Sequence, residues 1–155
     1  MRFAADRMLG KLAKWLRILG YDTLYSRGLA DDEFLGLANE GRILLSRNTG
    51  LVGKMDPDKL IFLEANDPKV QLQTVVRCLG LKPDPERFFS RCTVCNERLD
   101  PAEPQDVVER VPDHIWTRHN SFSECKACGR VYWKGTHIER SRLEIQRLLE
   151  EQKPG

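Results

Sequence analysis

The chain has 155 residues, 41% hydrophobic and 31% charged, which argues against a disordered segment and fits a soluble globular protein of one medium domain, or a small α/β domain plus a smaller module. Its formal net charge of +2 is too small to imply nucleic-acid binding by itself, so any such binding must come from the placement of charges. No apolar run approaches the roughly 18–20 residues that cross a bilayer, and Asp6 and Arg7 interrupt the apolar stretch a signal peptide would need, so the expectation is a cytoplasmic protein with no membrane partner.

Residues 2–5 are short and apolar and read as a buried strand, closed by Asp6. Met8, Leu9, Leu12, Trp15, Leu16 and Leu19 recur at spacings near three and four. That is an amphipathic helix, and Gly20 is its natural stop. Residues 23–25 predict a second strand. Asp31-Asp32-Glu33 opens a helix through Phe34, Leu35, Leu37 and Ala38, since acids are favoured at a helix start by capping and by the dipole; Gly41 ends it. Residues 42–46 predict a third strand and 60–63 a fourth. Asp67-Pro68 begins a helix carrying Val70, Leu72, Val75, Val76 and Leu79, and Gly80 ends it. Strands alternating with helices predict a parallel sheet covered on both faces.

Lys82-Pro83-Asp84-Pro85 breaks the pattern. The expected organisation is an α/β domain over 1–82, a linker over 83–90, a cysteine-bearing module over 91–137, and a helix with a tail over 138–155. The third segment has few apolar residues and several prolines, so without a metal it could hardly bury a core. Ile138, Leu143, Ile145, Leu148 and Leu149 predict the final helix, with Glu139, Arg140, Arg142, Glu144 and Arg147 solvated or facing a protein partner.

Cys92-Thr93-Val94-Cys95 and Cys125-Lys126-Ala127-Cys128 are two Cys-x-x-Cys pairs. A two-residue spacer lets both thiolates of a tight turn reach one tetrahedral ion, and two such turns close the site to water. In a reducing compartment this favours one structural zinc over disulfides. Gly129 and Asn96 follow the pairs, where a knuckle needs positive φ. Four cysteines suffice without His114 or His119. Cys78, beside Val75 and Leu79, reads as a small buried hydrophobe.

Ligands of a parallel sheet sit at the carboxyl ends of its strands. Asp6, Asp31, Asn48, Glu64 and Asp67 are expected near that edge, where acids would hold Mg²⁺ or Mn²⁺. Asp31 and Asp67 are equally readable as helix caps.

The opening Phe3 to Asp6, Met8-Leu9-Gly10-Lys11-Leu12-Ala13-Lys14-Trp15-Leu16-Arg17 and Leu19-Gly20-Tyr21-Asp22 resemble the mut-seven C-terminal RNase family. The resemblance continues through Asp31-Asp32-Glu33, Arg42 to Arg47, Gln71-Leu72, Arg91-Cys92 and Cys95-Asn96, and closes at Cys125 and at Cys128 to His137. It implies an α/β fold with a PIN-like three-layer nuclease domain and a small zinc ribbon, cleaving RNA with Mg²⁺ or Mn²⁺. By position, Asp6 and Asp31 match the first two catalytic acids and metal ligands. The third falls on Asn48, where the family usually has aspartate. An asparagine offers a carbonyl oxygen without charge, and one fewer charge weakens a divalent site; the alternative is then a weak or inactive RNA-binding module.

Arg7, Lys11, Lys14 and Arg17 recur at helical spacing beside Asp6, as RNA-backbone contacts or as an ordinary solvated face. Arg130 and Lys134, near the knuckles, are the other RNA-binding candidates, with Tyr132 and Trp133 interleaved. Trp133 is expected chiefly in the ribbon core. His137 either contacts phosphate or caps the last helix. The oligomeric state is left open.

Overall fold

The computed structural model describes residues 1–151, apart from the side chains of Thr136 and His137, so the expectation for His137 lies outside the described residues. Alternation along the strands sets the first architecture. In β1 (Arg2–Ala5), Phe3 and Ala5 enter one core and Ala4 another. In β3 (Arg42–Ser46), Leu45 joins Phe3 and Leu44 joins Ala4; in β4 (Leu60–Phe62), Ile61 and Leu60 divide likewise. A strand apolar on both sides needs cover on both sides.

That cover comes from helices. Leu12, Ala13 and Leu16 of α1 (Gly10–Ile18) and Leu72, Val75 and Val76 of α3 (Pro68–Leu79) pack on the first face. Phe34 of α2 (Asp31–Gly36) packs on the second. The sheet is parallel, in the order β2-β1-β3-β4, with β2 spanning Asp22–Tyr25. The chain therefore forms the three-layer α/β arrangement expected. The order reverses between β1 and β3, which opens a crevice at their carboxyl ends.

Local differences have local causes. Met8 precedes α1 rather than lying in it and is 51% exposed, because its N–H is taken by the Asp6 carboxylate at 2.9 Å. Asp67 caps α3 by accepting the Lys69 N–H at 2.8 Å, and Gly80 ends that helix with φ 57°. Cys78 is exposed rather than buried, since α3 turns its Leu72–Val75–Val76 face to the sheet.

A second, antiparallel sheet runs β5 (Asp100–Ala102), β6 (Phe122–Glu124) and β7 (Val131–Trp133). Together with the four-cysteine cluster it has the layout of a zinc ribbon. Between β5 and β6 lie two short helices, α4 (Pro104–Val107) and α5 (Asp113–Arg118). Val107, Val111 and Phe122 form a small core here, with Ile115, Val131 and Trp133 against it.

The last helix, α6 (Thr136–Glu150), returns to the first sheet. Ile145 is 0% exposed within the Leu16–Leu72–Val75 core, and Leu148 and Leu149 pack against it. Phe88 is buried there too, and the Phe89 N–H donates to the Ile18 carbonyl at 2.8 Å. Segment 83–90, proline-rich in sequence, thus lies against the C-terminal end of α1.

Candidate functional site

The sulfurs of Cys92, Cys95, Cys125 and Cys128 all lie within 4.8 Å of one another. Cys92 and Cys128 are 3.8 Å apart, far beyond a disulfide. Thiolates about 2.3 Å from a central ion form a tetrahedron with edges of about 3.8 Å, so the four are placed to hold one metal ion. The knuckles share one backbone pattern. Asn96 N–H donates to the Cys92 carbonyl at 2.9 Å and Gly129 N–H to that of Cys125 at 2.7 Å. Asn96 and Gly129 have φ 70° and 76°, the conformation expected of them.

The thiols are unequal without a cation. Burial pushes the Cys92 thiol up, but hydrogen bonds from the Tyr132 hydroxyl and from the Cys95 and Val94 amides outweigh it and bring it down to about 7. Cys95 is pushed up to about 12 by its hydrogen bond with Cys128, then by burial and the neighbouring sulfurs. Adjacent thiolates repel, and a bound cation removes that repulsion.

The first knuckle is fastened to the parallel sheet by polar groups whose role the sequence did not announce. Arg17 Nε donates to the Thr23 carbonyl at 3.0 Å, and its Nη1 to those of Thr93 and Val94 at 2.9 and 3.1 Å. Asn96 Nδ2 donates to Asp22, and Asp22 also pairs with Arg42 at 2.8 Å. The expectation that Arg17 shares a phosphate-binding stripe is therefore corrected: it is 6% exposed, and its donors face protein carbonyls. Helical spacing brought it near Lys14 in sequence, but one further turn along α1 the knuckle covers that face.

At the other end of α1, Asp6, Arg7, Asp31 and Asn48 line one small pocket at the reversal of the sheet, with Ser26 and Phe34 among its other walls. Asp6 continues the ladder from β1 through its N–H to the Leu45 carbonyl, 3.0 Å. Its carboxylate accepts from Ser46 Oγ at 2.6 Å, Arg47 N–H at 2.8 Å and Met8 N–H at 2.9 Å. Ser46 also accepts the Asn48 N–H at 2.9 Å, so this buried hydroxyl joins the two candidate positions. A polar residue ending an apolar strand was the available signal for it.

Asp31 is not the cap of α2. Ala30 occupies that position, with its N–H donating to Glu33 at 2.9 Å. Asn48 turns Nδ2 toward Asp31 Oδ1 at 3.5 Å, while its Oδ1 accepts the Gly50 N–H at 3.0 Å. Asp67 and Glu64 lie outside this pocket. Among the described residues no third Asp, Glu, His or Cys groups with Asp6 and Asp31. Two carboxylates are oxygen donors of the kind a hard divalent cation takes; Asn48 in this orientation supplies N–H groups rather than an oxygen.

The other cations divide. Arg7 and Lys11 line a broad groove with Arg27, adjoining the acidic pocket through Arg7 and Met8. Lys14 and Lys134 reach a cleft between the modules, and Arg130 is exposed on the ribbon. No helix among the described residues is long and apolar enough to cross a membrane. No curated protein and no solved structure matches the chain. The family model described as the Mut7-C RNAse domain matches residues 1–145, and the chain belongs to that family.

Proposed function

We propose that this protein is a metal-dependent ribonuclease that hydrolyses RNA phosphodiester bonds in a PIN-like domain, held to a structural zinc ribbon. The observation that carries the reading is the convergence of Asp6 and Asp31 on one pocket at the switch point of the sheet, beside a groove lined by Arg7, Lys11 and Arg27. Asp6 and Asp31 would hold Mg²⁺ or Mn²⁺. When bound, such an ion lowers the pKa of water and neutralises charge on a phosphodiester. Ser46, Arg47 and Met8 fix the Asp6 carboxylate in place, and Arg7 and Lys11 orient the RNA backbone. Four thiolates favour zinc for the ribbon, in a closed site with a folding role and in a reducing, cytoplasmic setting.

The test is cleavage of labelled RNA with Mg²⁺ or Mn²⁺ by the native chain and by Asp6→Asn. Loss of cleavage in the variant supports the assignment; equal cleavage by both points to a contaminant and overturns it.

One observation favours a second reading, an RNA-binding module with weak or no catalysis. Asn48 directs a donor at Asp31, where an aspartate would need a cation between the two carboxylates. Salt-dependent RNA affinity without cleavage would select this reading.

A further inference from the structure

We propose that the cleft between the two modules is a nucleotide subsite, which takes one unpaired base and its phosphate from a bound RNA strand. The proposal takes RNA as its ligand class from the functional reading above, but it needs binding only, not cleavage.

The cleft encloses about 230 Å³. That is small beside the ~300–1,000 Å³ of drug-sized ligand sites and suits a single nucleotide. Its floor and walls come from the end of α1, the Phe88–Phe89 segment, β7 and the start of α6. Lys14, Arg91, Lys134 and Arg142 bring four cations to it, and among the described residues no carboxylate lines it. In a chain of net charge +2 with 23 acidic residues, such a one-sided lining marks an anion site.

The cations are not equivalent. Arg91 is tied to the carbonyls of Gly20 and Asn96 and contributes field. Lys14 and Lys134 are exposed and free to reach a phosphate. Arg142 is half-buried, and its Nε has no hydrogen-bond partner among the described residues. The rest of its planar guanidinium lines the cleft, in a form suited to paired hydrogen bonds with phosphate oxygens.

Phe89 and Trp133 supply half-buried aromatic surface beside these charges. Trp133 both packs against the ribbon core and lines the cleft. Cations alone would accept any polyanion, an acidic peptide included. Aromatic surface next to them favours a ligand with a flat face, because unpaired bases stack on such side chains.

Placement completes the case. α1 begins beside the acidic pocket and reaches this cleft from Lys14 onward, about 6 Å along its axis from Gly10. Lys11, in the first turn, lines the groove, and Lys14, one turn further on, lines the cleft together with Ile18 at the helix end. A strand following α1 would place one phosphate near Asp6 and a neighbouring base in the cleft.

The experiment is fluorescence anisotropy of a short labelled oligouridylate titrated with the full zinc-loaded chain, without added Mg²⁺ or Mn²⁺, over a range of salt. Lys14→Ala, Lys134→Ala and Arg142→Ala are each expected to reduce the slope of log K against log salt by about 0.7, the value of one single-strand phosphate contact. Arg118→Ala, an exposed cation outside the cleft, is expected to leave it unchanged. Trp133→Leu is expected to weaken binding by about 5- to 150-fold and Trp133→Phe much less. Should Trp133→Leu lose the ribbon fold, Phe89→Leu gives the same reading. Photocrosslinks from 4-thiouridine are expected on the peptides carrying Phe89 or Trp133. Unchanged slopes in all three cation variants, crosslinks elsewhere, or equal competition by polyglutamate and unlabelled oligouridylate would overturn the subsite. RNA bound in this way but never cut would instead remove the ribonuclease and leave the subsite standing.

Discussion

Asn96 donates its side-chain amide to Asp22 Oδ1 at 2.7 Å, while its own Oδ1 accepts the Thr23 N–H at 2.9 Å. The residue that turns the first knuckle thus pairs with the backbone of β2, the edge of the parallel sheet. An open edge is a site for unwanted pairing, and here Asn96 and Arg17 occupy the N–H and carbonyl of Thr23 on that edge.

Asp22 makes that junction sensitive to acid. Burial pushes its carboxyl up, but hydrogen bonds from Arg42 and Asn96, reinforced by the charges of Arg42 and Arg91, outweigh it and hold the carboxyl below its usual value. A depressed pKa contributes stability that is present above the unfolded value near 4 and lost as pH falls through the folded value. Asp22→Asn is therefore expected to be less stable than native at about pH 7 and to converge on it below about pH 4. Urea midpoints of the two proteins across that range check this. A gap that stays constant across the range would refute the linkage.

Arg17 offers a test of burial against phosphate contact. Its guanidinium serves three carbonyls, and burial lowers its pKa. Hydrogen bonds from charged groups contribute about 1.5–3 kcal/mol. Arg17→Met is expected to lose at least about that much stability, and Arg17→Lys most of it, since an ammonium cannot present the same planar fork. Thermal unfolding measures the loss. The slope of RNA affinity against salt should not change in Arg17→Lys; a drop of about 0.7 would return Arg17 to the phosphate-contact set.

The order of elements in the parallel domain was legible because its strands are short apolar runs and its helices repeat at three and four. The knuckles were legible because chemistry fixes both spacing and turn residue, as Asn96 and Gly129 bear out. What periodicity could not give was partnership across the chain. Arg17 lies on α1 at the same spacing as Lys14, yet a carbonyl cluster 76 residues away buries it. Ile145 packs into the core of a domain formed by the first half of the chain, and nothing in a helical repeat names the face it will meet. Ser46 gave only the weak signal of a hydroxyl at a strand end, and its two hydrogen bonds exist only once β1 and β3 lie side by side. The short helices between β5 and β6 escaped because their apolar residues are too few to show a period.

The orientation of Asn48 predicts the effect of restoring a charge. Gly50 N–H fixes Oδ1, so the other branch of the side chain faces Asp31. In Asn48→Asp that branch becomes a second carboxylate oxygen toward Asp31, and a divalent ion relieves the repulsion. Asn48→Asp is expected to raise Mn²⁺-dependent RNA cleavage by about tenfold or more, about 1.4 kcal/mol of barrier. Without added metal it is expected to be no more stable than native. Single-turnover cleavage and melting with and without Mn²⁺ read both effects. A variant indifferent to Mn²⁺ in both would mean that positions 31 and 48 do not share an ion.

The return of α6 predicts a sharp contrast between two neighbouring aliphatic residues. Ile145 is completely buried in the core of the parallel domain, whereas Leu143 is 55% exposed. Truncating a buried isoleucine removes its transfer energy and leaves a cavity, at about 2–5 kcal/mol. Truncating an exposed leucine changes stability by about 0.5 kcal/mol or less. Ile145→Ala is therefore expected to lower the unfolding midpoint of the sheet domain itself, although residue 145 lies beyond the ribbon in sequence. The reporter is Trp15, which packs against the same core, followed in a chain carrying Trp116→Phe and Trp133→Phe. Equal midpoints for Ile145→Ala and Leu143→Ala would mean that α6 is a surface appendage. A shift confined to the Ile145 variant makes the last helix an integral layer of the first domain, and explains how a ribbon inserted between them is held at both ends.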